Sequence, residues 1–318
     1  MPSRDGVVKF RALRQSRQLF LPRTAMRSQA LRADLLMLLT AMIWGSAFVA
    51  QRLGMDAIGP FLYTGLRFTL ATLALLPLVL WLGKREGEHK PEPVNRGLLL
   101  GGLAMGLALS LGINLQQVGL LFTSVTNSGF ITGLYVIVVP LLGLLIGQRT
   151  GMGTWLGAGL AVVGMFLLSV GEGFQVASGD WLQLAGAFVW GVHVLLVSFF
   201  ASRHDPLRLA LLQFAVCAVL SLVLAVLFEE IRLEAILAAG PAILYGGLLG
   251  VAVGFTLQVV AQKHAIASHA AIILSLEAVF AAIAGALLLG EALALKGYFG
   301  CALMFAGMLL AQLWPKRA

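Results

Sequence analysis

The sequence predicts an all-α, polytopic membrane protein with ten transmembrane helices in two inverted five-helix repeats. Composition is the first observation behind this. Apolar residues make up 59% of the chain, charged residues only 11%, and mean hydropathy is +0.94. That leaves too little polar surface to cover a soluble domain of this length. The second observation is that the apolar stretches are long and continuous rather than short and alternating. In lipid this pattern means helices, not barrel strands. The third is a duplication. Asp34–Gly45, DLLMLLTAMIWG, returns as Asp180–Gly191, DWLQLAGAFVWG, at a shift of 146 residues that also carries Pro60 onto Pro206 and Phe68 onto Phe214. Gly147, Gly157 and Gly164 return as Gly290, Gly300 and Gly307 at a shift of 143, as a three-residue deletion would leave them.

The spans are read at 34–53, 60–82, 97–117, 124–146 and 152–170, then at 180–200, 207–228, 240–262, 270–289 and 296–314. Each is near the ~20 residues that cross the hydrocarbon. Span one opens at Asp34 behind a basic tail. Gly59-Pro60 starts span two, and Pro91 and Pro93 separate it from span three. Gly171 and Gly173 part the two copies, Asp205-Pro206 starts span seven, and Gly240-Pro241 starts span eight. Three segments follow: a tail at 1–32, a first repeat at 33–170 and a second at 179–314. An odd number of spans per copy inverts the second against the first, so the pseudo-two-fold lies in the membrane plane.

Charge sets the orientation. The net charge of +8 could suggest nucleic acid, but its distribution points to membrane topology. Of the 22 Lys and Arg residues, 18 fall in the tail and in alternate loops and 3 in the opposite loops, with Arg67 inside a span. This bias predicts cytoplasmic N and C termini in a bacterial inner membrane. Asp56, Glu172, Asp180, Glu229, Glu230 and Glu234 fall on the other side, as an ordinary solvated surface. The tail is basic and lacks the apolar core of a secretory signal. Residues 1–25 are expected to reflect a misplaced start, with Met26 the true first residue; a transit peptide and a segment lying on anionic lipid are the other readings. Cys217 and Cys301 lie in different apolar spans and read as packing residues rather than a disulfide.

Several segments together resemble the EamA-type branch of the drug/metabolite transporter superfamily. They are IWGSAFVAQR in span one, Arg67-Phe68 in span two, the run from Gly119 to Leu168 (GLLFTSVTNSGFITGLYVIVVP and onward), and Ala265–Leu310 (AIASHAAIILSLEAVF and onward). The likeness covers residues 33–314. It implies ten helices in two inverted repeats and export of amino acids, metabolites or drugs through a central cavity. The chain departs from the pattern where Ala278, not proline, follows Leu276-Glu277, and where Gly290-Glu291 is matched by Gly147-Gln148.

The residues that could carry function are polar groups inside spans. Glu277 has no basic residue in its own span, so it must face protein or a wet cavity, or stay protonated. It either exchanges protons for substrate or holds a neighbouring helix by hydrogen bonds. His193 lies three residues from Trp190 on one face of span six; it is a second proton-coupling candidate or a packing residue. Trp44 and Trp190 occupy matching positions and read as cavity walls or interhelix packing. Asn114, Gln116 and Gln117 close span three, and Asn127, Ser128 and Thr132 open span four, with Gln258 their counterpart and Tyr135 on the same face. Arg67 is an anion contact or a structural cation that snorkels to the interface beside Tyr63 and Pro60. The glycines spaced seven apart in spans five and ten predict close packing between the repeats.

No HExxH, Walker loop, CxxC or nucleophile elbow is present, and no metal or cofactor is expected. The expected protein is a secondary transporter of small organic solutes. Its partners are a small-molecule substrate, the bilayer and a proton as candidate coupling ion, with no nucleic acid, and a monomer suffices. A cavity is expected among spans one, three, four, six, eight and nine. A passive channel and a membrane-embedded enzyme are the alternatives.

Overall fold

The computed structural model describes residues 23–85, 94–148, 150–169, 177–290 and 295–314. The first 22 residues of the tail, Pro91, Pro93, Gly171, Gly173, Glu172 and Glu291 lie outside these ranges. The chain is all-helical within them. Its ten spans are Arg23–Gly54, Pro60–Arg85, Arg96–Leu120, Val125–Gly133 with Tyr135–Leu145, Met152–Ser169, Ser178–Ala201, Pro206–Phe228, Gly240–Gln262, Ala267–Leu274 with Glu277–Leu289, and Leu295–Leu313. Eight are long and apolar enough to cross a membrane outright. Spans five and ten are shorter, at 18 and 19 residues. At 1.5 Å per residue they still reach about 27 Å, close to the hydrocarbon thickness. Span one differs from expectation by beginning at Arg23, so the last part of the predicted tail is its first three turns.

Local chemistry sets the helix starts. Asn95 Oδ1 accepts from Leu98 N at 2.8 Å, Ser124 Oγ from Asn127 N at 3.1 Å, and Asp205 Oδ1 from Arg208 N at 2.8 Å. Each satisfies an N–H that the first helical turn leaves unpaired. Two acids expected on a solvated surface act as caps instead. Asp180 Oδ2 accepts from Ala177 N at 2.8 Å and its Oδ1 from Thr123 Oγ1 at 2.7 Å. Glu229, at the end of span seven, accepts from the N–H groups of Phe61 and Leu62 at 2.7 Å each and so caps span two.

The spans pair as an inverted duplication requires. Five packs on ten and two on seven, each pair relating a span to its own counterpart. Three packs on six, and one packs on eight in the matching way. Spans five and ten meet along their glycines. A Cβ on Gly157 would lie 2.6 Å from Gly307 O, and one on Gly164 2.5 Å from Gly300 O. Large apolar side chains such as Leu73, Val226 and Leu287 point outward, as lipid allows.

The two ends of the bundle differ. One end, called basic here, carries Arg96, Arg203, Arg208 and Lys263; the other, acidic, carries Asp56, Asp180, Glu229 and Glu234. Toward the basic end the spans close on a continuous apolar core that includes Met37, Met105, Val197, Leu209 and Ala270, all fully buried. Asp34 and His269 join spans one and nine there, Oδ1 to Nε2 at 3.1 Å.

Candidate solute cavity between the repeats

Three spans lose regular α-helical geometry, and all three losses face one place. Span four breaks at Leu134 and span nine at Ser275-Leu276, corresponding sites in the two repeats within two residues. At the span-nine break, Leu276 N donates to Ile273 O, three residues back, instead of Ile272 O. The released Ile272 carbonyl accepts from Ser275 Oγ at 2.9 Å. Glu277 then opens the second half-helix, where the dipole favours a carboxylate. Span eight is π-helical from Tyr245 to Phe255, a rare geometry that concentrates at functional sites. From span one, Trp44 Nε1 donates to Gly250 O within this segment at 3.0 Å. Gly254 makes room for the indole, since a Cβ there would lie 2.7 Å from Trp44 Nε1.

These irregular segments line one small cavity, of about 40 Å³. Its aromatic wall is centred on Phe255, which lies 4.5 Å from the Trp44 ring and stacks on Trp190 at 5.9 Å and 17°. The two tryptophans related by the duplication thus flank one phenylalanine. Phe48, Ile113, Val194 and Leu274 complete the apolar lining.

Polar groups enter at separate points. Gln116 Nε2 donates to Thr132 Oγ1 at 2.9 Å, Thr132 Oγ1 approaches Gln183 Oε1 at 3.4 Å, and Gln183 Nε2 donates to Gln116 O at 2.9 Å. This network ties spans three, four and six at the cavity edge. Arg67 reaches in from span two and Gln51 from span one. Five buried atoms of lining residues have no hydrogen-bond partner: Arg67 Nε, Tyr135 OH, Trp190 Nε1, Gln258 Oε1 and Glu277 Oε1. A buried unsatisfied polar atom costs about 1–3 kcal/mol. Tyr135 and Glu277 lie close enough to interact with each other, and Arg67 Nε, Trp190 Nε1 and Gln258 Oε1 are left for a polar ligand or water to satisfy.

Of the nine residues expected at a cavity, Trp44, Thr132, Tyr135, Trp190, Gln258 and Glu277 line it. Three do not. Asn114 Nδ2 donates to Ser110 O at 2.8 Å and Ser221 Oγ at 2.9 Å, which joins span three to span seven. Asn127 sits in the first turn of span four, where Ser124 caps its N–H. His193 lies behind Trp190, 5.6 Å from it ring to ring, with Nε2 at 2.9 Å from Gln213 Oε1. Arg67 corrects the interfacial reading: it is 3% exposed and faces the cavity rather than the headgroups. Sequence reasoning passed over Gln51 and Phe255. A glutamine near the end of an apolar span was a signal for the first; a phenylalanine in an apolar span gives none for the second.

The fold has a solved counterpart. A crystal structure superposes with a TM-score of 0.71 at 20% identity, covering 89% of this chain and 99% of that one. Among curated relatives, an uncharacterized transporter of Archaeoglobus fulgidus is 32% identical over 288 residues, 89% of this chain and 86% of its own. A probable terminal-alkyne amino-acid exporter of Streptantibioticus cattleyicolor is 26% identical, covering 69% of this chain and 72% of the relative. The uncharacterized inner membrane transporter YedA of Escherichia coli is also 26% identical, covering 66% of this chain and 68% of its own. The model of the EamA-like transporter family matches twice, over residues 31–170 and 177–313. With both halves matched in turn and a hollow between them, the chain is a membrane transporter that belongs to the EamA-like transporter family.

Proposed function

We propose that the protein is a secondary transporter of the bacterial inner membrane that exports small organic solutes by alternating access. It is not an enzyme, and one chain is the working unit. The repeats are residues 33–170 and 179–314, and both termini are cytoplasmic. One observation carries this reading: a mostly apolar cavity at the junction of the repeats, walled by the breaks of spans four and nine and the π-helical segment of span eight. Discontinuous helices at a repeat interface are where transporters of inverted construction hold their cargo. A solute shifts the two-state equilibrium only by binding one state better than the other, and the unsatisfied atoms of the wall supply a means for this.

Glu277 is the proposed coupling group. It alone among the lining residues is a carboxylate, and it sits at the break of a span that must move if the repeats rock. His193 supports the wall through Gln213 and Trp190. The test begins with a thermal-shift screen of metabolites on detergent-purified protein, since a ligand of the folded state raises its melting temperature. The hit is then followed into membrane vesicles with and without an imposed proton gradient. The gradient should accelerate its movement in the wild type and lose that effect in Glu277→Gln, while exchange down the solute's own gradient persists. Undiminished gradient dependence in Glu277→Gln would remove the carboxylate from the coupling step.

A further inference from the structure

Arg67 is a buried cation whose counter-charge is not supplied by the fold. A guanidinium carries five N–H donors. Here Nη2 donates to Gln117 Oε1 at 3.2 Å and approaches Gln51 Oε1 at 3.5 Å, both neutral, and Nε has no partner. The rings of Tyr63 and Phe68 flank it, 5.1 and 5.5 Å from its central carbon. Among the described residues the ion pairs are Arg232 with Glu230 and His269 with Asp34. Glu277, the carboxylate of the same cavity, makes none with Arg67. Holding an unpaired charge away from water is costly unless something compensates it.

The duplication tells whether that charge serves the architecture. At a shift of 146 residues, Arg67 corresponds to Gln213, as Phe68 corresponds to Phe214. Gln213 is fully buried in span seven and bonds His193. The second repeat therefore builds the same helix position with a neutral amide. A cation is not needed to pack it, and the first repeat places one where it opens on the cavity.

We propose that Arg67 is an anion subsite, so that the solute is a small amphipathic carboxylate. Its head group docks on the guanidinium and its apolar body lies against Trp44, Phe255 and Trp190. The inference rests on the cavity being the solute site proposed above, and narrows it to one class of cargo. A carboxylate suits the position because it is planar and matches the guanidinium fork, and such charge-assisted bonds are the strong ones. Gln51 and Gln117 hold one nitrogen of the fork, Nη2, in place.

The probes are 3-phenylpropanoate, 3-phenylpropanamide and 3-phenylpropylamine, with the same three head groups on a 4-methylpentyl body. Binding is measured by calorimetry on the full-length protein in detergent. The wild type should bind each acid about tenfold or more tightly than its amide. Arg67→Gln should bring acid and amide within about twofold, and Arg67→Lys should keep part of the preference. A second readout needs no variant. Phenylglyoxal labelling of Arg67 in the wild type, followed by peptide mass spectrometry, should be slowed by the acids and not by the amides. Amides or amines that bind as well as the acids, or labelling indifferent to the acids, overturn the anion subsite and leave the solute cavity standing. Failure of all six compounds to bind folded protein overturns both.

Discussion

A single carboxylate can do more for this fold than its exposure suggests. Glu229 lies at the acidic end, next to Glu230, and nothing in the sequence separates the two. Yet Glu229 gives both oxygens to the first free N–H groups of span two, directly after Pro60, which has no N–H to offer. Glu230 pairs only with Arg232 at 3.8 Å, both largely exposed. Replacing Glu229 by Ala should cost about 1–2 kcal/mol, the range for loss of a helix cap. A lower melting temperature of the purified protein is the expected readout. Glu230→Ala should leave it unchanged, because an exposed pair contributes little. Equal melting temperatures for both variants would mean that water serves span two as well as the carboxylate does. The same limit applied to Arg67. Its position near Tyr63 and Pro60 was legible, but the direction of its side chain was not. Direction follows from how span two turns against its neighbours, which no local pattern records.

Whole spans were far more legible than their interruptions. Lipid forces each crossing segment to be long, apolar and helical, so composition nearly determines ten of them. Gly133 directly precedes the break at Leu134 and Pro140 lies beyond it, but neither fixes the spot, and Ser275-Leu276 has no glycine or proline beside it. They exist because the backbone bonds rearrange locally and because neighbouring spans accept the result. The π-helical run left only a trace, the density of Gly246, Gly247, Gly250 and Gly254. The contact of spans five and ten was plain, because glycines seven apart on both admit one reading. It also gives a clean test. A side chain at Gly157 meets backbone, Gly307 O, which cannot swing aside, whereas nothing lies within 4 Å of a Cβ at Gly159. Gly157→Val should therefore destabilise by about 1–3 kcal/mol or more through overpacking. Gly159→Ala, two residues away, should be neutral or slightly stabilising, since alanine is the better helix former. Thermal unfolding of the two variants side by side decides it, and a harmless Gly157→Val would mean that the two spans part easily.

At the scale of the molecule, inversion and charge have to agree. Two five-span units of opposite orientation place their equivalent loops on opposite sides of the bilayer, so charge in the loops cannot follow the duplication. It does not: the repeated spans keep their tryptophans and glycines, while Lys and Arg gather at one end of the bundle regardless of repeat. The first repeat puts Arg96 there and the second puts Arg203, Arg208 and Lys263 there. The basic residues thus follow the end of the bundle and not the repeat, the kind of bias that orients a membrane protein. Glu234, in the short helix Leu233–Ala238 that precedes span eight, and Lys263, directly after that span, are exposed on its two sides, which makes them a matched pair for labelling. The background is Cys301→Ser, with Cys217 left in place because it is fully buried. A membrane-impermeant maleimide should label Glu234→Cys in spheroplasts whose inner membrane is intact. Lys263→Cys should react only after that membrane is permeabilised. The reverse pattern would turn the whole bundle over and place the packed basic end, with Asp34 and His269, on the outer face. Labelling of both sites in intact spheroplasts would mean that the chain inserts in two orientations, and the one-directional reading of the cavity would fall with it.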